Sequence, residues 1–122
     1  LIEAGADAFL MPSRYEPCGL NQMYSLRYGT PPVVRAAGGL DDTIAPFIAE
    51  TRKGNGFKFG DPTPEALQAS LADLLNVWEN KPAWRALQKN GMKADHSWTR
   101  SAREYVKVYR RARAVAAIRG GL

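Results

Sequence analysis

One cysteine and one histidine are all that 122 residues contain. Cys18 alone excludes an internal disulfide, and Cys18 with His96 cannot supply the four ligands of a Cys/His zinc site. No apolar run approaches the roughly 18 residues of a membrane span, so no membrane partner is expected. No methionine leads the chain, and Leu1-Ile2-Glu3-Ala4-Gly5 is not the start of a signal peptide. Internal repeats and low-complexity stretches are also lacking. What is present belongs to a packed domain: 45% hydrophobic residues, 24% charged, three Trp and five Tyr. That balance argues against disorder. The length suits one domain, with roughly 100–200 residues as the usual span.

Charge is unevenly placed. The total is +5, yet residues 1–96 carry 10 basic and 11 acidic side chains. Residues 97–122 carry seven basic residues against Glu104 alone. A basic cluster can mark a nucleic-acid surface. The plainer reading is the solvated face of a terminal helix. The stretch lacks the Gly-flanked aromatics of an RNA-binding sheet, so no nucleic-acid partner is expected.

Apolar periodicity gives an α/β order. Asp7-Ala8-Phe9-Leu10-Met11, stopped by Pro12, reads as a buried strand. After the loop from Pro12 to Gly19, the residues Leu20, Met23, Tyr24 and Tyr28 recur at helical spacing, with Gly29 as a left-handed C-terminal residue. Pro31-Pro32 blocks continuation. Val33-Val34 forms the core of a second strand, Ala37-Gly38-Gly39-Leu40 a tight loop, and Gly56-Phe57-Lys58-Phe59 a third strand in or near an edge. Residues 50–56 read as an exposed, mobile loop. Thr63 caps a helix with Pro64 at its first position, and Leu67, Leu71, Leu74, Leu75 and Trp78 share its apolar face. Pro82 starts another helix with Trp84, Leu87 and Met92. A last helix, from Ser97 or Thr99 to Gly120, aligns Ala102, Tyr105, Val106, Tyr109 and Ala112. Strand, helix, strand implies a Rossmann-like parallel sheet with flanking helices and a helical tail. Three strands make a thin sheet, and a leading strand–helix unit is lacking. With the entry at Leu1, the expectation is one partial domain, residues 1–122, from the C-terminal part of a longer protein, with 97–122 as its final helix.

Chemistry concentrates between Ser13 and Gly29. A turn at the carboxyl end of a strand is where open α/β sheets bind ligands. The helix start beyond it offers unpaired N–H groups and the positive end of aligned peptide dipoles, and Gly19 allows close approach. Glu16 would repel a diphosphate, and so suits neutral hydroxyls through charge-assisted hydrogen bonds. An anion seat beside such a carboxylate describes a nucleotide sugar. Each part also has a bland reading: Gly19 as a turn residue, Glu16 as a surface carboxylate, Cys18 as a small hydrophobe.

The string Pro12-Ser13-Arg14-Tyr15-Glu16-Pro17-Cys18-Gly19-Leu20-Asn21-Gln22-Met23-Tyr24-Ser25-Leu26-Arg27-Tyr28-Gly29 closely resembles bacterial glycogen synthases and plant starch synthases. The likeness continues through Pro32-Val33-Val34-Arg35 and Gly38-Gly39-Leu40-Asp41-Asp42-Thr43, and more loosely at Gly56-Phe57-Lys58-Phe59 and Ser97-Trp98. These are retaining glucosyltransferases of the two-domain GT-B type. By that resemblance the chain is part of the C-terminal donor-binding domain, and the protein transfers glucose from ADP-glucose to the non-reducing end of an α-1,4-glucan. Glu16 matches the first glutamate of the E-x7-E motif, the catalytic position that holds donor glucose hydroxyls. Cys18, Gly19, Leu20 and Asn21 match the backbone around sugar and diphosphate. Tyr24 stands where the wider superfamily has its second glutamate, as in glycogen and starch synthases. The implied partners are the nucleotide-sugar donor, the glucan acceptor and an N-terminal domain of the same protein. No metal or other cofactor is implied. The family's phosphate-binding lysine and arginine would lie upstream of Leu1, so these 122 residues alone should be inactive. The setting would be a bacterial cytoplasm or a plastid stroma.

Other features stay secondary. Asp41-Asp42 lacks a third nearby ligand for a metal. Gly38-Gly39 forms either part of a substrate loop or only a tight turn. His96 lacks a partner carboxylate for catalysis, and Cys18 lacks an assignable base. Trp78 and Trp84 lie on amphipathic helices and read as core. The alternative function is a non-catalytic module that binds sugar nucleotide or glucan.

Overall fold

The computed structural model describes residues 1–119. Nine elements follow one another: α1 (Ile2–Gly5), β1 (Phe9–Met11), α2 (Asn21–Tyr28), β2 (Pro32–Arg35), α3 (Gly39–Thr43), β3 (Phe57–Phe59), α4 (Pro64–Glu79), α5 (Lys81–Lys93) and α6 (Trp98–Arg119). The three strands pair in parallel in the order β1-β2-β3. This is the expected Rossmann-like sheet with flanking helices, followed by a helical tail. The short α1 was not foreseen. The expected helix end at Gly120 lies outside the described residues.

The middle strand explains the layering. Successive side chains of a strand point to opposite faces. Val33 therefore packs with Phe57, Phe59, Leu74, Trp84 and Leu87 on one side, while Val34 packs with Leu26, Leu40 and Ile44 on the other. Both valines are essentially fully buried. Helices thus cover both faces of the central strand, as a parallel sheet requires.

Local rules place most helix ends. Thr63 accepts a hydrogen bond from the Ala66 amide and Pro64 opens α4. Asn80 caps α5 in the same way, accepting from Ala83 N–H, a cap that the sequence reading passed over. Gly29 ends α2 in the left-handed region, as expected.

Four expectations need correction. Leu75 lies off the buried face of α4 at 59% exposure, and Ser70 and Val77 sit inward instead. A stripe of period 3.6 through Leu67, Leu71, Leu74 and Trp78 turns position 75 away from the sheet. In α2 the inward residues are Gln22, Ser25 and Leu26, whereas Leu20, Tyr24 and Tyr28 are exposed. The buried polar residues there hydrogen-bond within the fold: Ser25 Oγ donates to the Thr30 carbonyl and Gln22 Nε2 to the Gly19 carbonyl. Gly39 starts α3 rather than closing a tight loop. Finally, residues 50–53 are exposed but not loosely held. Asn90 Nδ2 donates to the Arg52 and Gly54 carbonyls, both at 2.8 Å, and Ile48 bridges Lys53.

Candidate functional site

The β1–α2 loop, residues 12–20, leaves the carboxyl end of β1 and turns into the first turn of α2. Glu16 lies in this loop, outside any regular element and half-buried. Cys18, Leu20 and Asn21 are exposed, and Gly19 is half-buried with φ +69°. That left-handed backbone is strained for any residue with a Cβ. No side chain caps the start of α2, whose N-cap is Leu20. Its early N–H groups are thus available to an anion, with the helix dipole behind them.

The second glycine pair meets this loop directly. Gly39 N–H donates to the Glu16 carbonyl at 3.3 Å. A Cβ on Gly38 would overlap the Glu16 carbonyl, and one on Gly39 would overlap the Cys18 carbonyl. Gly38-Gly39 is therefore the floor on which residues 16–18 rest, more than a simple turn. The loop at the end of β2 and the loop at the end of β1 form one surface.

Three further residues hold that surface, and the sequence reading assigned a role to none of them. Arg35, at the end of β2, donates from Nη1 to the Arg14 carbonyl at 2.7 Å and the Ser13 carbonyl at 3.3 Å, and from Nε to the Gly60 carbonyl at 3.1 Å. The guanidinium thus pins the start of the loop to the end of β3. Gln22 Nε2 donates to the carbonyls of Gly19 at 3.0 Å and Cys18 at 3.3 Å, and to Thr43 Oγ1 at 3.1 Å. Thr43 Oγ1 in turn donates to the Gly39 carbonyl at 2.5 Å. No motif marks such residues: the carbonyls that Arg35 meets are brought close only by folding, and the local bonds of Gln22 and Thr43 depend on which way each side chain turns.

The remaining candidates separate from the loop. Asp41 pairs with Lys58 at 2.7 Å while Asp42 faces a different groove. Among the described residues no three His, Cys, Asp or Glu side chains converge as metal ligands. The groove that Asp42 faces, about 1030 Å³, opens between α2 and the start of α6 and is lined in part by Met23, Tyr24, Arg27, His96 and Tyr105. It touches the loop at Leu20 but excludes Glu16. Partial burial and the nearby Arg100 lower the pKa of His96, against the pull of Asp95. Neutral imidazole is favoured there, and among the described residues no carboxylate accepts a hydrogen bond from it. Trp84 is buried and meets Trp78 edge-to-face at 4.8 Å, whereas Trp98 is 87% exposed. No helix among the described residues is long and apolar enough to cross a membrane.

Comparison with known proteins follows the same line. Residues 1–114 match the sequence family of glycosyl transferases group 1. A glycogen synthase of Dechloromonas aromatica is 54% identical over 119 residues, covering 95% of this chain and 24% of that protein. One from Anaeromyxobacter is 59% identical over 109 residues, covering 89% and 23%. The chain thus spans about a quarter of the length of these curated relatives. Among solved structures, the catalytic domain of starch synthase IV from Arabidopsis thaliana, bound to ADP and acarbose, superposes with a TM-score of 0.78. It is 34% identical, and the match covers 90% of this chain and 23% of that one.

Proposed function

The chain belongs to the glycosyl transferases group 1 family, and from that premise we propose that it forms the donor side of an ADP-glucose-dependent α-1,4-glucan synthase. The protein in full length would transfer glucose from ADP-glucose to the non-reducing end of a glucan, with retention. The observation that carries this reading is the juxtaposition of a half-buried loop carboxylate, Glu16, with the uncapped start of α2. Identity above 50% to glycogen synthases supports it, as does the ADP and acarbose in the starch synthase relative.

The chemistry follows from the charges. As the glucose–phosphate bond breaks, positive charge develops on the sugar and negative charge on the departing diphosphate. Amides at the start of α2 meet the diphosphate, in a geometry set before reaction. Glu16 grips hydroxyls of the transferred glucose and keeps the anomeric carbon facing the acceptor. The incoming 4-hydroxyl attacks from the face that ADP leaves, and the leaving diphosphate takes its proton. No metal is needed for these steps.

The test is transfer of labelled glucose from ADP-glucose to glycogen by the full-length protein. Glu16→Ala should lower kcat by about a hundredfold or more, with thermal unfolding unchanged. Binding of glycogen without consumption of the glucosyl donor would overturn the proposal in favour of a non-catalytic module. Preference for UDP-glucose would overturn only the choice of nucleotide.

A further inference from the structure

We propose that Gln22 is a positioning residue that sets the peptide planes of the loop holding the sugar nucleotide. The proposal rests on the functional reading above and names the side chain that keeps the loop amides aimed.

Gln22 is completely buried, on the first turn of α2. Its amide nitrogen gathers the carbonyls of Cys18 and Gly19 and the hydroxyl of Thr43. A peptide unit is planar and trans, so its N–H points opposite to its C=O. The Cys18 carbonyl shares a plane with the Gly19 N–H, and the Gly19 carbonyl shares one with the Leu20 N–H. Drawing both carbonyls inward therefore turns both N–H groups away from the carboxamide. Neither N–H has a partner among the described residues. Two adjacent amides directed away from the core beside a helix start suit a diphosphate.

Two observations set this apart from ordinary helix packing. Gln22 Oε1 is buried without any hydrogen-bond partner among the described residues. An orphaned acceptor is destabilising, and an apolar side chain of similar size would avoid it. What only the glutamine supplies is the pair of N–H donors; both carbonyl acceptors lie on the loop that carries Glu16, and the third acceptor, the Thr43 hydroxyl, lies on α3. Space points the same way: a Cβ at position 19 would collide with this carboxamide. Gly19 thus leaves room for Gln22 as well as adopting the left-handed turn.

Binding of ADP to the full-length protein, followed by calorimetry, tests the assignment. Gln22→Met keeps the volume and removes the donors. It should weaken ADP binding about tenfold, the scale of one lost hydrogen bond to a charged group, while glycogen affinity stays at the wild-type value. Gln22→Glu places a carboxylate against two carbonyls. Its ADP affinity should recover as pH falls and the carboxyl regains a proton to donate, which a merely structural role would not produce. Wild-type ADP affinity in Gln22→Met, or equal losses for ADP and glycogen, would overturn the proposal. If the methionine variant does not fold, the presence or absence of pH recovery in Gln22→Glu decides it. Wild-type protein that binds neither ADP nor UDP would overturn the functional reading and this proposal together; if it binds UDP instead, the same variants are compared with UDP. Wild-type protein that binds ADP beside an unimpaired methionine variant would overturn this proposal alone.

Discussion

Gly39 shows how little tolerance the loop contact has at the scale of one residue. Its missing side chain lets the Cys18 carbonyl rest on the start of α3, and its N–H reaches the Glu16 carbonyl. Gly39→Ala would push backbone against backbone, which no rotamer can relieve. The expected cost is about 2 kcal/mol or more, within the range for forced overpacking. Urea unfolding should show that loss together with weakened ADP binding. Gly5→Ala, with nothing within 4 Å of the added methyl, should leave both unchanged. The place of Glu16 and Gly19 in a loop between a strand and a helix was legible in the sequence, from Pro12 at the strand end and the helical spacing beyond Gly19. The parts played by Gln22, Thr43 and Arg35 were not, since Arg35 meets carbonyls more than 20 residues away and Gln22 joins Thr43 across 21 residues.

At the scale of the element, periodicity finds a helix more surely than it finds the inward face. In α4 the difference is small: Leu74 is buried and Leu75, one residue on, is not. In α2 it is a reversal. Leu20, Tyr24 and Tyr28 form the apolar stripe, yet Leu26 goes inward to pack with Val34, Leu40 and Ile44, while the Gln22 amide nitrogen and the Ser25 hydroxyl find acceptors there. Two leucines separate the cases by experiment. Leu87→Ala removes a fully buried side chain of α5 and should cost about 2–5 kcal/mol in denaturant unfolding. Leu75→Ala should fall within about 0.5 kcal/mol of wild type, as exposed substitutions do. Equal effects would contradict the packing described for α4 and α5. The loop at residues 50–56 teaches a related point. Its composition is that of an exposed connection, and Asn90 from α5 nevertheless ties it down.

For the whole molecule, the decisive feature is an open surface. Glu16 is only half-buried, Cys18 and Asn21 face outward, and nothing among the described residues encloses a sugar above them. Glycosyl transfer needs water excluded and the acceptor held in place against the anomeric carbon. The 122 residues alone are therefore expected to give no detectable glucan elongation from ADP-glucose, whereas the full-length protein should. Elongation by the isolated chain, measured as labelled glucose in precipitated glycogen, would refute this. The helix α6 belongs to the same scale. Tyr105, Val108 and Tyr109 are 58–63% exposed, and no residue of α6 with a described side chain is buried. Its solvated basic residues agree with the plain reading of the charge excess; Lys107, for instance, pairs with Glu104 at 2.6 Å.

Short-range information settled the succession of strands and helices, the caps at Thr63 and Gly29, and the loop that carries Glu16. These depend on dihedral preferences and on groups within a few residues of one another, which any reader of the chain can inspect. Tertiary structure alone decided which face of α2 turns inward, that Gly38-Gly39 supports residues 16–18, and that Gln22 gathers their carbonyls. Such choices depend on how segments pack. Gly39 N–H reaches the Glu16 carbonyl and Gln22 reaches Thr43, each across more than 20 residues, and even the short-range bonds from Gln22 to Cys18 and Gly19 form only once α2 turns that side chain inward. Burial makes those bonds obligatory, because a polar group sealed from water must find its partner in the fold.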